Sequence, residues 1–475
     1  KTRHMKQTRD LEQLPISKLL IRFAVPAMTG TLITSLYNIV DRIFLGRYVG
    51  ELGIAATTIA MPLMMIVMAI GMLIGFGTNS QISIRLGEKR HDEAEKLLGQ
   101  GFFLLVTSSI IFSTLSLLFM DQLLIMFGAT EKVLPYARTY LSIVVIGTIT
   151  HQISFAANSF IRGEGNPRVA MATMLIGGII NVILDYLFIG VFGWGMAGAA
   201  WATVIGYSVS SLWVLHYFLS GKSVLKLRRE NFRIRPEMIG SVMMMGSPSF
   251  IMNTIASVQM SLFNNQLAKF GGDTAISVMG VIMSFNMVWM MPVIGISQGM
   301  QPIVGYNFGA RRFDRVKKAL FLANAAATVM SIACFIFIEI FPGHVFRLFI
   351  SDGGSNVIGV GIDAIRRFML LLPLVGYLII TGNYFQFTGR PKISLALTII
   401  RQVGFLIPAL LILPDYFGLN GVWYAMPTSD AGAFLITTFF FFRELRNLAR
   451  RIAEKPASEI DAPDDVHENK QRSEE

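Results

Sequence analysis

Twelve apolar runs, each close to or beyond the roughly 20 residues a helix needs to cross the hydrocarbon core of a bilayer, constrain this chain more than any other feature. They lie at about 16–46, 53–84, 97–119, 133–161, 168–192, 196–219, 239–268, 275–305, 316–341, 357–388, 391–413 and 418–442. Inside lipid every backbone N–H and C=O must be satisfied by the chain itself, so runs of this length are helices. The expected fold is an all-α polytopic membrane protein with twelve transmembrane helices. Composition agrees: 15% of residues are charged, against about 25% in soluble domains. Several runs are too long for a straight crossing and are expected to tilt, bend or project from the bilayer. Pro26, Pro62, Pro248 and Pro292 fall inside runs and mark expected kinks. The charged start and the length of the first run argue against a cleavable signal peptide.

The basic residues orient the runs. Arg85, Lys89, Arg90 and Lys96 follow the second run, and Lys222, Lys226, Arg228, Arg229, Arg233 and Arg235 fill the central linker. Arg311, Arg312, Arg315, Lys317 and Lys318 follow the eighth run, and Arg443, Arg446, Arg450 and Arg451 end the twelfth. With twelve runs, all four clusters fall on one side. The positive-inside rule then puts that side and both termini in the cytoplasm. This accounts for the net charge of +11 without nucleic acid.

The chain repeats itself. ISIRLGEKRHDEAEK around Gly87 matches IVGYNFGARRFDRVKKA around Gly309, and Pro26 matches Pro248, both at an offset of 222. GNP at Gly165–Pro167 matches GRP at Gly389–Pro391 at 224, and GMAGAAWA from Gly195 matches GLNGVWYA from Gly418 at 223. Six runs per half is an even number, so the halves are parallel repeats, an arrangement typical of transporters with a cavity between two bundles. The expected organisation is an N-lobe over 14–220, a cytoplasmic linker over 221–238, a C-lobe over 239–443 and a disordered cytoplasmic tail over 444–475.

Within this frame the intramembrane acids carry the functional signal. Asp41 lies in the first run, where an ionised carboxylate costs roughly 3 kcal/mol on insertion scales and marks a functional site by default. Asn181 and Asp185 are four apart in the fifth run and share one helix face; Thr203 lies in the sixth. Two carboxylates, an amide and a hydroxyl suit one proton or sodium site; alternatively each acid has its own structural partner, Asp41 pairing with adjacent Arg42. The repeat places Phe263 opposite Asp41, Phe405 opposite Asn181 and Ala409 opposite Asp185, so the constellation belongs to the first half alone.

The motifs VDRIFLG with Asp41, ISIRLGEKRHDEAEK, NSFIRGEGNP (Asn158–Pro167) and NVILDYLFI with Asp185 resemble those of multidrug and toxic compound extrusion (MATE) transporters. The resemblance covers about residues 14–450 and is strongest to the bacterial multidrug branch that includes the DNA-damage-inducible type. It implies two six-helix lobes around a V-shaped cleft, and export of organic cations in exchange for protons or sodium ions. It also implies coupling-ion binding, by a proton or by sodium, at Asp41, Asn181, Asp185 and Thr203, with Asn158 in the same polar network. Another branch keeps acids in the seventh and tenth spans; here the seventh has Gln259 and neutral neighbours, and no acid is expected in the tenth.

Other features read more simply. Arg401 in the eleventh run and Asp430 in the twelfth lie at similar depth and are expected to form a structural ion pair. His151 with Gln152 reads as a satisfied core pair, and Cys334, the only cysteine, as core filler. The methionine runs Met61–Met72 and Met287–Met291 read as packing, with a cavity lining as the alternative. No nucleotide-binding, metalloprotease or nucleophile-elbow motif is present, so no enzyme and no cofactor is expected. The expected function is ion-coupled antiport of small-molecule organic cations across the lipid bilayer by a monomer. The alternative is a flippase for a lipid-linked glycan precursor, which would need free cationic side chains in the cleft to hold a pyrophosphate.

Overall fold

The computed structural model describes residues 10–347 and 355–454. Among them the regular structure is helical, with no strand. Eight helices are long and apolar enough to cross a membrane, and two bent pairs bring the number to ten. One of the eight, Pro236–Gly309, runs for 74 residues, several times the length a single crossing needs at about 1.5 Å per residue. It breaks at Gly272, with φ 62° and ψ −159°, a conformation open to glycine, and is therefore two spans. Leu419–Ala453 completes the twelve; Asn420, Thr428, Ser429 and Asp430 dilute its apolar character without shortening it.

The N-lobe comprises α1 (Ile16–Tyr48), α2 (Glu51–Gly87), α3 (His91–Leu118), α4 (134–163), α5 (Pro167–Val191) and α6 (Gly195–Leu219). The C-lobe comprises α7 (236–271), α8 (273–309), α9 (Phe313–Ile340), α10 (355–387), α11 (Pro391–Phe417) and α12 (Leu419–Ala453). Helix α4 bends by 57° at Gly147, and α10 by 47° before Leu372. Pro26, Pro62, Pro248 and Pro292 all lie inside helices.

Each expected run corresponds to one helix; the largest differences are the start of α3 at His91, six residues before the expected 97, and the C-terminal end. There α12 continues through residues 444–453, which the sequence reading placed in a disordered tail. The reason is Glu444: it is buried, takes a two-pronged ion pair from Arg390 at 2.5 Å on each side, and accepts a hydrogen bond from the Tyr384 hydroxyl at 2.8 Å. About two turns further on, Arg451 covers the rings of Phe308 and Phe313. Residues 455–475 of the expected tail lie outside the described residues.

The repeat appears in space as a pseudo-twofold relation between the lobes. A Cβ on Gly87 would lie 2.0 Å from the carbonyl oxygen of Tyr306, and one on Gly309 would lie 2.1 Å from that of Ile84. Residues 84 and 306, like 87 and 309, are 222 apart, so α2 and α8 cross symmetrically at a point where only glycine permits the approach. Lys89 and Arg311, again 222 apart, both leave their helices with positive φ, 59° and 55°. The short helices Met120–Met126 and Pro342–Arg347 also begin 222 residues apart.

The lobes meet on the side that carries the basic clusters, hereafter the basic face. Their contacts include Arg315 with the Leu11 and Leu14 carbonyls, Arg312 with Glu12, and Gln81 with Ser241. The deepest of these hydrogen bonds joins Asn253 on α7 to the Met72 sulfur on α2. Above Met72 the same face of α2, at helical spacing, carries Met68, Met65, Met61 and Ile54, and these are 40–51% exposed. The lobes thus part above Met72. Met283, Met287 and Met290 on α8 are the repeat counterparts of Met61, Met65 and Met68, so each lobe brings a methionine row to matching positions. Met287 is 59% exposed.

The linker is strapped to the N-lobe. Glu164, between α4 and α5, accepts hydrogen bonds from Ser223 Oγ and the amides of Val224 and Leu225. Glu95 holds Lys226 N and Arg228, and Gln100 bonds the backbone at Asn231, Arg233 and Arg235.

Candidate functional site

Helices α1, α5 and α6 bring Asp41, Asn181, Asp185 and Thr203 into one polar region of the N-lobe. Helix α5 can press on α1 because Gly178 has no side chain: a Cβ there would sit 3.1 Å from both Ile33 and Tyr37. Further along, Phe44 of α1 meets Tyr186 of α5 edge to face, with ring centroids 6.5 Å apart. Asp41 lies between these two contacts on α1, as do Asn181 and Asp185 on α5. Gly206 of α6 backs Asn181, a Cβ there lying 3.2 Å from the Asn181 Cβ. Immediately after Asp185 the helix widens into a π-turn, Tyr186–Val191, a feature frequent at functional sites.

Three tyrosines complete the region. Tyr37 and Tyr207 lie within hydrogen-bonding reach of each other, and Tyr140 within reach of Thr203. Tyr140 is close enough to feel the charges of both Asp41 and Asp185, and Asp185 feels that of Asp41. The sequence reading did not single these tyrosines out. Two carried a signal: Tyr37 is four residues before Asp41 and Tyr207 four after Thr203, each on its neighbour's face. Tyr140 carried none.

The acids lack protein partners. Asp185 and Asn181 are buried, 0% and 3% exposed. Both carboxylate oxygens of Asp185, Oδ1 of Asp41 and Oδ1 of Asn181 are buried without a hydrogen bond. Arg42 does not close an ion pair with Asp41; its guanidinium reaches the Met61 sulfur instead. Four unengaged oxygens, three of them from the two carboxylates, with no lysine or arginine bridging them among the described residues, offer a donor set for a small cation. Oxygen-only ligation suits a proton or sodium rather than a transition metal, and no group of three or more His, Cys, Asp or Glu residues able to hold a metal occurs among the described residues.

Asn158 is not brought into this set. Its amide donates to the Ala170 carbonyl at 2.7 Å and its oxygen accepts from Arg162 at 2.6 Å. Ala170 precedes Asn181 by 11 residues on α5, about 16 Å along the axis.

The C-lobe has a different polar centre. Arg401 and Asp430 pair at 2.8 and 3.0 Å, with Asp430 buried. Gln259 of α7 donates to the side chain of Gln402 at 2.6 Å and to its carbonyl at 3.1 Å. Arg401 and Gln402 lie in a second π-turn, Ile400–Leu406. Helix α10 does hold an acid, Asp363, but it is exposed and paired with Arg367 one turn on. Gln152 donates to the Val67 carbonyl, and the His151 ring lies 4.5 Å from that of Tyr207.

A lobe-repeated twelve-helix bundle that parts on one side and keeps unpaired intramembrane acids is the architecture of a transporter, not of an enzyme. The MatE family profile matches residues 26–187 and 248–411, and the chain belongs to the MATE family of transporters. Relatives include the Multidrug export protein MepA of Staphylococcus aureus (strain N315), 27% identical over 422 residues, which are 88% of this chain and 92% of the relative. The protein of the same name from Staphylococcus haemolyticus (strain JCSC1435) is 28% identical over 439 residues, 92% of this chain and 95% of the relative. Among solved structures, the MATE multidrug transporter DinF-BH is 40% identical, with TM-score 0.85, covering 92% of this chain and 97% of that one. An outward-facing MATE transporter of the MOP superfamily is 25% identical, with TM-score 0.87, covering 94% and 98%.

Proposed function

We propose that this protein is a multidrug antiporter of the bacterial cytoplasmic membrane. It exports organic cations by alternating access in exchange for a proton or a sodium ion taken up at Asp41 and Asp185. The observation that carries this reading is the pair of neighbouring carboxylates with unengaged oxygens and no cationic side chain between them. A low-dielectric site disfavours two bare negative charges, so the pair gains from a bound monovalent cation, and the amide of Asn181 and hydroxyl of Thr203 are placed to share its coordination. Binding the cation changes the charge between α1 and α5, next to the π-turn. That change gives α1 and α5 two charge states in which to pack. The relatives named as multidrug exporters support the substrate class.

With the basic face in the cytoplasm, both chain ends lie there and the present conformation is outward-open. The methionine rows of α2 and α8 line the parting, where flexible thioethers accept varied apolar cations. Exchange of one monovalent cation for one proton moves no net charge, and a difference of one pH unit then supplies about 1.4 kcal/mol, a tenfold gradient. A flippase for lipid pyrophosphates is disfavoured, because Arg401 is already bound to Asp430, and Arg42, whose guanidinium reaches the Met61 sulfur, sits beside the unpaired carboxylate of Asp41, whose charge opposes a pyrophosphate.

The test is uptake of a radiolabelled organic cation into inside-out vesicles under an imposed pH or sodium gradient. Wild type should accumulate it, and Asp41→Asn, present at equal level in the membrane, should not. Full gradient-driven uptake by Asp41→Asn removes this assignment of the site.

A further inference from the structure

The C-lobe centre is the repeat counterpart of the layer next to the N-lobe site, one helical turn nearer the basic face than Asp41, Asn181 and Thr203. Gln259 corresponds to Tyr37 at offset 222, Arg401 and Gln402 to Gly177 and Gly178 at 224, and Ser429 and Asp430 to Gly206 and Tyr207 at 223. The contacts correspond too. Gly178 packs on Tyr37, and Gln402 bonds to Gln259. Tyr207 reaches Tyr37 in the N-lobe, while Asp430 lies on the matching face of α12. Gly177 lies against Gly206 and Ser210, and the carbonyl of Arg401 accepts a hydrogen bond from Ser429 at 2.7 Å.

All five pairs differ in residue type; the change from Gly177 to Arg401 is the one that puts a cation beside Asp430. At Gly177 a Cβ would lie 2.2 Å from the Ser210 hydroxyl, so the N-lobe position holds no side chain. Its counterpart holds Arg401, and residue 433, the counterpart of Ser210, is alanine. The guanidinium extends to Asp430, bonding it through Nε and Nη2. Among the described residues, Arg401 is the one charged group acting on Asp430; Gln259 on α7 and Gln402 on α11 are neutral.

We propose that Arg401 is a tethered cation: one turn from the repeat counterpart of the N-lobe site, it neutralises Asp430 as a coupling ion neutralises the N-lobe acids, and so keeps Asp430 from binding a proton or sodium. The contrast with a coupling lobe rests on the antiport reading above, but the occupation of Asp430 by Arg401 does not depend on it. The number of ions taken up per cycle is then set by a side chain of α11. Without Arg401 the C-lobe gains a cation site made of Asp430, Ser429 and the Gln259–Gln402 amides.

The test counts cations bound by purified protein in detergent, protons by difference titration and sodium by filter binding of the radiolabelled ion. Arg401→Leu should bind one more cation per chain than wild type, Arg401→Leu with Asp430→Asn should return to the wild-type number, and Arg401→Lys should match wild type. An Arg401→Leu protein with native elution and melting behaviour but no added cation overturns the proposal. Should Arg401→Leu fail to fold, Asp430→Asn in otherwise wild-type protein decides: loss of a bound cation overturns the proposal, and an unchanged number supports it. Asp41→Asn with Asp185→Asn, measured in parallel, tests the N-lobe site separately. If that variant loses no cation, the antiport reading fails while the comparison at Arg401 still stands.

Discussion

Asn79 and Gln301 hydrogen-bond to each other at 2.9 Å across the lobe interface, and each is the other's counterpart in the repeat, 222 residues apart. Two equivalent residues touch only where the pseudo-twofold axis passes, so this bond marks the axis near the closed basic face. Gln301 also donates to the Phe76 carbonyl and the Ser80 hydroxyl, and Asn79 accepts from Ser83. The closure is therefore a buried polar knot at the centre of symmetry, where a rocking motion of the lobes must break it.

Removing the knot should favour the state open at the basic face. A buried hydrogen bond contributes about 1 kcal/mol net, so Gln301→Leu should shift the equilibrium roughly fivefold or more per bond lost. With Cys334 replaced by serine and a reporter Ser241→Cys beside the interface, an impermeant maleimide applied to the basic face should react correspondingly faster. An unchanged rate means that Gln301 does not hold the closure.

Much of this was legible in the sequence because a bilayer leaves little choice. Apolar runs had to be helices, and a carboxylate in one of them had to have a purpose, so Asp41 and Asp185 stood out. The Arg401–Asp430 pair was legible for the same reason. What was not legible depends on distances between helices. Tyr140 looked like any aromatic in an apolar run until α4 placed it beside both acids. Asn158 sat in a suggestive motif, yet Arg162, one turn on, takes its oxygen. The end of α12 is not legible because Glu444 and Arg451 look like tail residues when the partners that hold them, Arg390 and the rings of Phe308 and Phe313, are far away in sequence.

The Glu444 attachment predicts an asymmetry between single and double variants. Glu444→Ala leaves Arg390 without its carboxylate against Phe385 and Tyr384, whose rings lie 5.2 and 6.0 Å from the guanidinium. Breaking one side of a buried pair costs about 3–5 kcal/mol, whereas replacing both by apolar groups is often neutral. Thermal unfolding in detergent should show Glu444→Ala well below wild type, and Glu444→Leu with Arg390→Met close to it. Equal losses in the single and double variants would mean that α12 is held by its apolar face alone.

Glu164 gives a pH dependence outside the membrane spans. Burial pushes its carboxyl from the usual 4.5 up to about 8, against the opposing pull of hydrogen bonds from Ser223, Leu225 and Val224. In that window the folded chain keeps a proton that the unfolded chain has released. Stability therefore falls as pH rises from the ordinary glutamate range to about 8 and levels off above it. Glu164→Gln keeps an acceptor for the linker amides but does not titrate. The wild-type melting temperature should thus decline relative to Glu164→Gln across this window, and parallel curves would show that the strap does not bind the proton.

The final prediction separates polar contact from coupling in the C-lobe. Gln259 occupies the Tyr37-equivalent position and ties α7 to the π-turn of α11 through both the side chain and the carbonyl of Gln402. It carries no charge and has no hydrogen bond to the side chain of Arg401 or Asp430 among the described residues. Gln259→Ala removes the tie and leaves Asp430 with its guanidinium, so the cation count and the charge of the C-lobe are unchanged. Drug affinity is free to change, because α7 carries exposed residues above the closed face, among them Val258 and Met260. The pH profile of export should stay where wild type has it while the apparent affinity for individual cations moves. A displacement of that profile by more than about one pH unit, equivalent to about 1.4 kcal/mol of changed interaction, with Asp41 intact, would show that the second lobe shares in coupling.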